Sequence, residues 1–250
     1  MSREWDATTY QQVSQPHQDW GAQVLDRLEL RGDETVLDLG IGTGRVTEQL
    51  LERLPAGRVV GIDGSAAMLA TARERLPADR VTLIHSDLLA FTVPTPADAA
   101  VSSATFHWIA DHDALFARVR AALRRGAPFV GQCGGHGNIA GVMAVMDAVA
   151  QDEPFAAALG GWPGPWNYAT AEQTRERLQR AGFSVQACFL NDSPVTNARP
   201  RDFLGKVILG AHLDRLAPED RDAYVDAVLA RLGDPPVFDY VRLNWVATAV

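Results

Sequence analysis

The chain has 250 residues, 47% of them apolar and 22% charged, which suits a globular protein large enough to bury a substantial core. Its net charge of −8 argues against a nucleic-acid partner, which ordinarily leaves a basic footprint. No apolar run approaches the roughly 20 residues of a membrane span, and no charged n-region with an apolar h-region opens the chain. A cytoplasmic protein without a membrane partner is therefore expected, as a monomer or homodimer, and Cys133 and Cys188, both in apolar surroundings, read as buried thiols.

The first 30 residues read as helical, with Trp20, Val24, Leu25 and Leu28 on one face. A short β-branched apolar run, Val36–Leu39, then meets Gly40-Ile41-Gly42-Thr43-Gly44, after which Val46, Leu50, Leu51 and Leu54 recur with helical spacing. This is a buried strand running into a glycine turn that opens a helix. Glycines at alternate positions allow positive φ and let a ligand approach the backbone, and the unpaired N–H groups of the helix start face that ligand. A dinucleotide fingerprint needs G-x-G-x-x-G, but Arg45 stands where its third glycine should be.

Arg58–Asp63 reads as a second strand ending in an acid, placed where a carboxylate accepts hydrogen bonds from ribose hydroxyls. Ser65 caps the next helix, whose inner face carries Met68, Leu69, Ala72 and Leu76. Val81–Leu88 reads as a third strand and Asp98–Ser103 as a fourth, with Phe106-His107-Trp108 at its carboxyl end, where open α/β sheets bind ligands. His107 is thus placed to face a substrate, although a histidine satisfied by local backbone reads equally well. Asp111 and Asp113 read as a cap and a dipole partner of the following helix. A fifth strand over 127–133 leads into the glycine-rich Gly134–Asn138 and a helix. The aromatic, proline-rich stretch Gly161–Tyr168 cannot be regular. Thr170 and Gln173 form a capping box, Phe183–Leu190 a sixth strand, and 201–232 a helical insertion. The last strand, Val237–Val246, alternates as an edge antiparallel strand should.

Asp38-Leu39-Gly40-Ile41-Gly42-Thr43-Gly44 resembles the E/D-x-G-x-G-x-G motif of class I S-adenosylmethionine (SAM) methyltransferases. Arg3-Glu4-Trp5-Asp6 and Phe106-His107-Trp108-Ile109 look like the group holding the trans-aconitate and juvenile-hormone-acid methyltransferases, with Ile41 standing where many relatives have cysteine. The resemblance implies a doubly wound α/β sheet of seven strands, mostly parallel with an antiparallel last strand. It implies one domain over 1–250, with a helical N-terminal lid (1–30), a SAM-binding core (31–133) and helical caps (134–175 and 193–235). It further implies SAM as cofactor, with S-adenosylhomocysteine as product, held by Asp38, Gly40, Gly42, Gly44, Asp63, Gly64, Met68, Asp87, Leu88 and Ser103, and by Tyr10 and Gln18 if the lid folds over. Asp87 would accept from the adenine amino group and Leu88 would pack on its ring.

That likeness implies methylation of a small-molecule oxygen, with a carboxylate favoured. Ser103-Ala104-Thr105-Phe106 replaces the [N/D/S]-P-P-[Y/F/W] common among amine methylators of this fold, which disfavours amines. His107 is the candidate catalytic residue, and Trp108, His136, Trp166, Tyr168, His212 and Tyr240 are the candidate acceptor pocket. No metal is expected. Transfer to a phenol, hydroxyl or carbon stays open, as does other SAM-dependent chemistry such as cyclisation. An NAD(P) oxidoreductase is disfavoured by the glycine spacing, and a non-enzymatic binding module by the intact glycines and Asp63.

Overall fold

The computed structural model describes residues 15–250, with side-chain surroundings from Trp20 onward. Helix α1 (Gln15–Leu25) buries Trp20, Val24 and Leu25, and Leu28 is buried just beyond it. The chain then alternates β1 (Thr35–Leu39), α2 (Arg45–Glu52), β2 (Arg58–Asp63), α3 (Ala66–Arg75), β3 (Val81–His85) and β4 (Ala99–Ser103). A 3-10 turn (Phe106–Trp108), α4 (His112–Ala121) and β5 (Pro128–Gly134) follow, then α5 (Ala140–Val149), the single turn α6 (Ala156–Leu159), α7 (Ala171–Arg180) and β6 (Phe183–Asp192). Helix α8 (Pro200–Phe203) continues into a π-helical stretch at Leu204–Ile208, and α9 (Gly210–Leu213) and α10 (Pro218–Arg231) precede β7 (Val241–Ala249).

The strands of the described residues lie in one seven-stranded sheet of order β3-β2-β1-β4-β5-β7-β6. Pairing is parallel from β3 through β5, and β7 runs antiparallel to both β5 and β6. Alternation along β1 sends Leu37 and Leu39 to one face, where they meet Phe106, Phe116 and Phe129. Val36 faces the other side and joins Val24, Leu50 and Leu69. Helices on both faces of a mainly parallel sheet are what strands buried on both sides require. The expected doubly wound architecture is the one observed.

Local signals set the helix starts. Ser65 Oγ accepts from Met68 N–H, Asp111 from Ala114 N–H, and Thr170 and Gln173 close a reciprocal capping box. Both cysteines are free and buried.

Two strand assignments need correction. The third strand ends at His85, because Asp87 turns the chain by accepting from Leu89 N–H at 2.8 Å. The last strand begins at Val241 rather than Val237, and it is interior rather than an edge. Before it, Phe238 makes only an isolated bridge to Val195, and Asp239 accepts from Gly141 N–H. Being interior, β7 buries the polar residues that an edge strand would expose. Asn244 receives Arg27 Nη1 at 2.5 Å, and Arg242 is 1% exposed.

A further apolar cluster stands apart from the two sheet faces. Trp20, Ile139, Val142 and Met146 pack in it against Phe203, Leu204, Tyr224 and Phe238, which joins α1 and α5 to the 200–232 helices.

Candidate functional site

At the carboxyl ends of β1, β2 and β4 lies a cavity of about 420 Å³, at the point where strand order reverses. Its walls include Gly40 and Gly42 after β1, Asp63, Gly64 and Met68 around the end of β2, Asp87 and Leu88 after β3, and Ser103 at the end of β4. The structure thus brings eight of the proposed cofactor residues to one space. Gly40 and Ile41 N–H both donate to the Ile62 carbonyl, at 2.8 and 3.1 Å, which ties the glycine turn to the tip of β2. Asp63 braces the same joint, taking Gly42 N–H on Oδ2 and Ser65 N–H on Oδ1, each at 2.9 Å.

The two cavity-lining glycines of the turn after β1 differ in kind. Gly40, at φ 82°, sits where a Cβ would lie 2.2 Å from Thr105 Oγ1. A Cβ on Gly42, at φ 55°, would meet nothing within 4 Å. The space beside Gly42 is therefore a cradle left open on the cavity wall, which suits a ligand approaching the backbone.

A second, much smaller cavity of about 30 Å³ shares Ala104 and Trp108 with the first. It is lined by the candidate catalytic residue His107, by Trp108, Trp166, Tyr168 and Tyr240, four of the proposed pocket residues, and by Asn138 and Arg242. The His107 ring stacks on Tyr168 at 5.9 Å, Tyr168 stacks on Trp166 at 5.8 Å, and Asn167 N–H donates to the His107 carbonyl at 2.8 Å. The irregular aromatic stretch is thereby strapped to the end of β4. Gly134 N–H donates to His107 Nδ1 at 3.3 Å, so the neutral ring carries its proton on Nε2. Burial raises the Tyr168 phenol above its ordinary range, against the lowering effect of its hydrogen bond with Asn138, and so Tyr168 remains a donor. The two non-glycine residues with positive φ among the described residues, Ala104 and Ile139, both line this small cavity. Strained backbone of this kind concentrates at functional sites.

Other proposed residues lie elsewhere. Asp38 and Gly44 support the turn from behind: Asp38, 2% exposed, accepts from Thr47 Oγ1 at 2.5 Å, and Gly44 caps α2. His136 is exposed and lines neither cavity, because its N–H is spent on the Ala169 carbonyl and the turn carries the ring outward. His212 is buried behind the pocket, packed on Trp162, Trp166 and Tyr224. Tyr10 lies outside the described residues, and Gln18 falls in α1 with its side chain outside them. Arg242, Asn138 and Thr105 are site residues that no motif marks, since each is known only from its neighbours in space.

Two buried groups titrate in opposite directions. Burial pushes the Asp38 carboxyl up to about 6, with Thr47 opposing and the Asp63 charge assisting. Burial brings His212 down to about 4, with the Arg215 charge adding to the effect. A carboxyl raised in the fold removes stability as pH climbs from about 4 to 6, and a histidine lowered in the fold removes stability as pH falls from about 6.5 to 4. The two slopes oppose one another across that window. We expect His212→Phe to gain stability, relative to wild type, progressively as pH falls from 7 to 4, by up to about 3 kcal/mol. Urea denaturation at several pH values checks this, and a pH-independent difference would refute it.

Residues 36–126 match a methyltransferase-domain family. The chain is 31% identical over 193 residues to the trans-aconitate 2-methyltransferase of Methylobacterium nodulans, a match spanning 77% of this chain and 69% of that protein. It is 28% identical to the enzyme of that name from Acidovorax, over 92% of this chain and 90% of the relative. The likeness to the Azoarcus enzyme, at 34% identity, covers 65% of this chain and 58% of the relative's length. Among solved structures, a Haemonchus contortus phosphoethanolamine N-methyltransferase in complex with S-adenosylhomocysteine is similar at TM-score 0.60 and 20% identity, over 92% of this chain and 52% of that one. The [4+2]-cyclase SpnF is similar at TM-score 0.61 and 22% identity, over 93% and 81%. Likeness at that level speaks for the fold, and it is the sequence relatives that speak for the chemistry. The chain belongs to the class I S-adenosylmethionine-dependent methyltransferases, near the trans-aconitate methyltransferase group.

Proposed function

We propose that this protein methylates a carboxylate oxygen of a small-molecule acid, with S-adenosylmethionine in the larger cavity and the acceptor in the smaller. The observation that carries the acceptor class is the hydrogen bond from Gly134 N–H to His107 Nδ1. With that nitrogen occupied, His107 offers an N–H donor rather than a base. A carboxylic acid with a pKa near ~4 arrives ionised and needs a donor to orient it, whereas a phenol near ~10 would need a base.

The open cradle at Gly42 and the acid at Asp63 fit a cationic nucleoside cofactor, and the 420 Å³ cavity falls within the usual size of such sites. When bound, the cofactor supplies a methyl group on a sulfonium centre that an oxygen nucleophile can displace in line. The chain's own part is positioning and exclusion of water. Asp63 would hold ribose hydroxyls, and Asp87 and Leu88 the base. Trp108, shared by both cavities, and Trp166 wall the junction, and His107 and Tyr168 donate to the acceptor. Alignment of this kind supplies on the order of 7–11 kcal/mol of a barrier. Residues 1–30 would act as a lid, with 134–175 and 193–235 as caps on the 31–133 core. Pro165 and Ala211, one from each cap, support this by lining the same cavity as Gly42.

Asp63→Ala should weaken S-adenosylhomocysteine binding by about 1–3 kcal/mol through lost hydrogen bonds, and unchanged affinity by calorimetry would remove Asp63 from the site. The acceptor class is tested by offering small acids and phenols with methyl-labelled S-adenosylmethionine. Methyl esters as products are expected, and turnover of phenols alone would refute the reading.

A further inference from the structure

The histidine that ends β3 has no part in the function proposed above, yet it touches the wall of the larger cavity. His85 Nε2 lies 3.0 Å from the Gly64 carbonyl oxygen, and Gly64 lines that cavity between Asp63 and Ser65. A carbonyl can only accept, so this nitrogen carries a proton and donates it. The Gly64 carbonyl and the Ser65 N–H belong to one planar peptide unit, in which they point in opposite directions. Asp63 Oδ1 takes that N–H at 2.9 Å, so the unit is gripped at both ends, by the imidazole and by the carboxylate. The Asp63 carboxylate is fixed in turn, because its Oδ2 takes Gly42 N–H from the glycine turn at 2.9 Å. One peptide therefore links the tip of β3 to the acid at the tip of β2. The parallel register sets the reach: Asp63 stands opposite His85, and the Asp63 carbonyl accepts from Ser86 N–H at 3.0 Å. Backbone bonds thus hold the two strand ends, and the bond from the ring fixes the turn that follows Asp63. Were that peptide to turn over, its carbonyl would face Asp63 Oδ1, and two acceptors in contact would push the carboxylate from its place.

We propose that His85 is a positioning residue for the cofactor, holding the Gly64–Ser65 peptide so that Asp63 keeps the orientation that ribose hydroxyls need. This rests on the reading of the larger cavity as the S-adenosylmethionine site and adds a residue to it. The ring is exposed, so water is an alternative partner for the Gly64 carbonyl and the clamp acts through preorganisation. Without it, binding must itself order the peptide, and affinity falls with the fraction of molecules that already hold the competent arrangement.

The test is calorimetric titration of S-adenosylhomocysteine into the full chain and its variants, with urea denaturation of each to compare their stabilities. His85→Leu should weaken binding by roughly 3–10-fold, the range of one modest hydrogen bond. His85→Gln, whose amide nitrogen reaches the place of Nε2, should recover most of that loss. His85→Asn, one bond shorter, should not. With Asp63→Ala already in place, adding His85→Leu should change affinity by less than about twofold, because the ring acts through that carboxylate. A contact serving stability alone would not separate Gln from Asn in affinity, nor depend on Asp63. If His85→Leu does not fold, the comparison of His85→Gln with His85→Asn decides the matter. Wild-type affinity in His85→Leu, equal affinities in the Gln and Asn variants, or an undiminished effect of His85→Leu beside Asp63→Ala overturns this inference while leaving the cofactor site standing. Wild-type affinity in Asp63→Ala defeats the placing of Asp63 in that site and this inference with it.

Discussion

Gly42→Val should lower affinity for S-adenosylhomocysteine by at least ~10²-fold, equivalent to about 2.7 kcal/mol, while the chain still folds. The expectation follows from what surrounds the position. A Cβ at Gly42 meets no protein atom within 4 Å, so valine obstructs nothing in the free chain except the cavity itself. The stability penalty is confined to the positive φ of 55°, about 1–2 kcal/mol for a residue with a Cβ. Gly40→Val is the contrasting variant. Its Cβ would stand 2.2 Å from Thr105 Oγ1, so overpacking adds about 1–3 kcal/mol to the backbone strain, and the protein itself should be impaired. Calorimetric titration and urea denaturation of both variants separate the two effects. Wild-type affinity in Gly42→Val would mean that the cofactor does not occupy this cavity.

The second large effect should fall on the acceptor. His107→Ala is expected to raise KM by roughly 10–10²-fold with a lesser change in kcat, since an orienting hydrogen bond to a charged group would be lost. His107→Gln retains an N–H donor and should keep much of the activity. A base would behave differently, with kcat lower by about 10²–10⁴ and no acidic limb in the rate profile. Steady-state kinetics across pH, on whichever acid wild type turns over, distinguish these outcomes. The hydrogen bond from Gly134 to Nδ1 argues for the first. An alanine variant with unaltered kcat and KM would take His107 out of the site.

Much of the fold is legible from local features. Runs such as Val36–Leu39, the glycine turn, and the caps at Ser65, Asp111 and Thr170 each act over a few residues, and so a short window of sequence shows them. A rule about strand ends brings together Gly40 after β1, Asp63 ending β2 and Ser103 ending β4, and the three do line one cavity. What escaped is what depends on order within the sheet. Alternation in 237–246 is equally consistent with an edge and an interior strand, and only pairing with both β5 and β6 turns Arg242 and Asn244 inward. Arg242 thus looks like a solvated strand residue until its neighbours are known. His136 fails for the complementary reason. Its place in a glycine-rich stretch suggests a site, but a single backbone hydrogen bond to Ala169 decides which way the turn faces.

The interior place of β7 also bears on synthesis. Strands β1 to β5 can pair as they emerge, but β6 reaches its place only through β7, which is made last. Until Val241–Ala249 leaves the ribosome, the growing sheet ends at an open β5 edge, and β6 waits with neither side paired. Unpaired strands of this kind are templates for adhesion between nascent chains. The same nine residues that carry Arg242 into the pocket therefore complete the sheet, so an unfinished chain lacks both its closed edge and its buried cation.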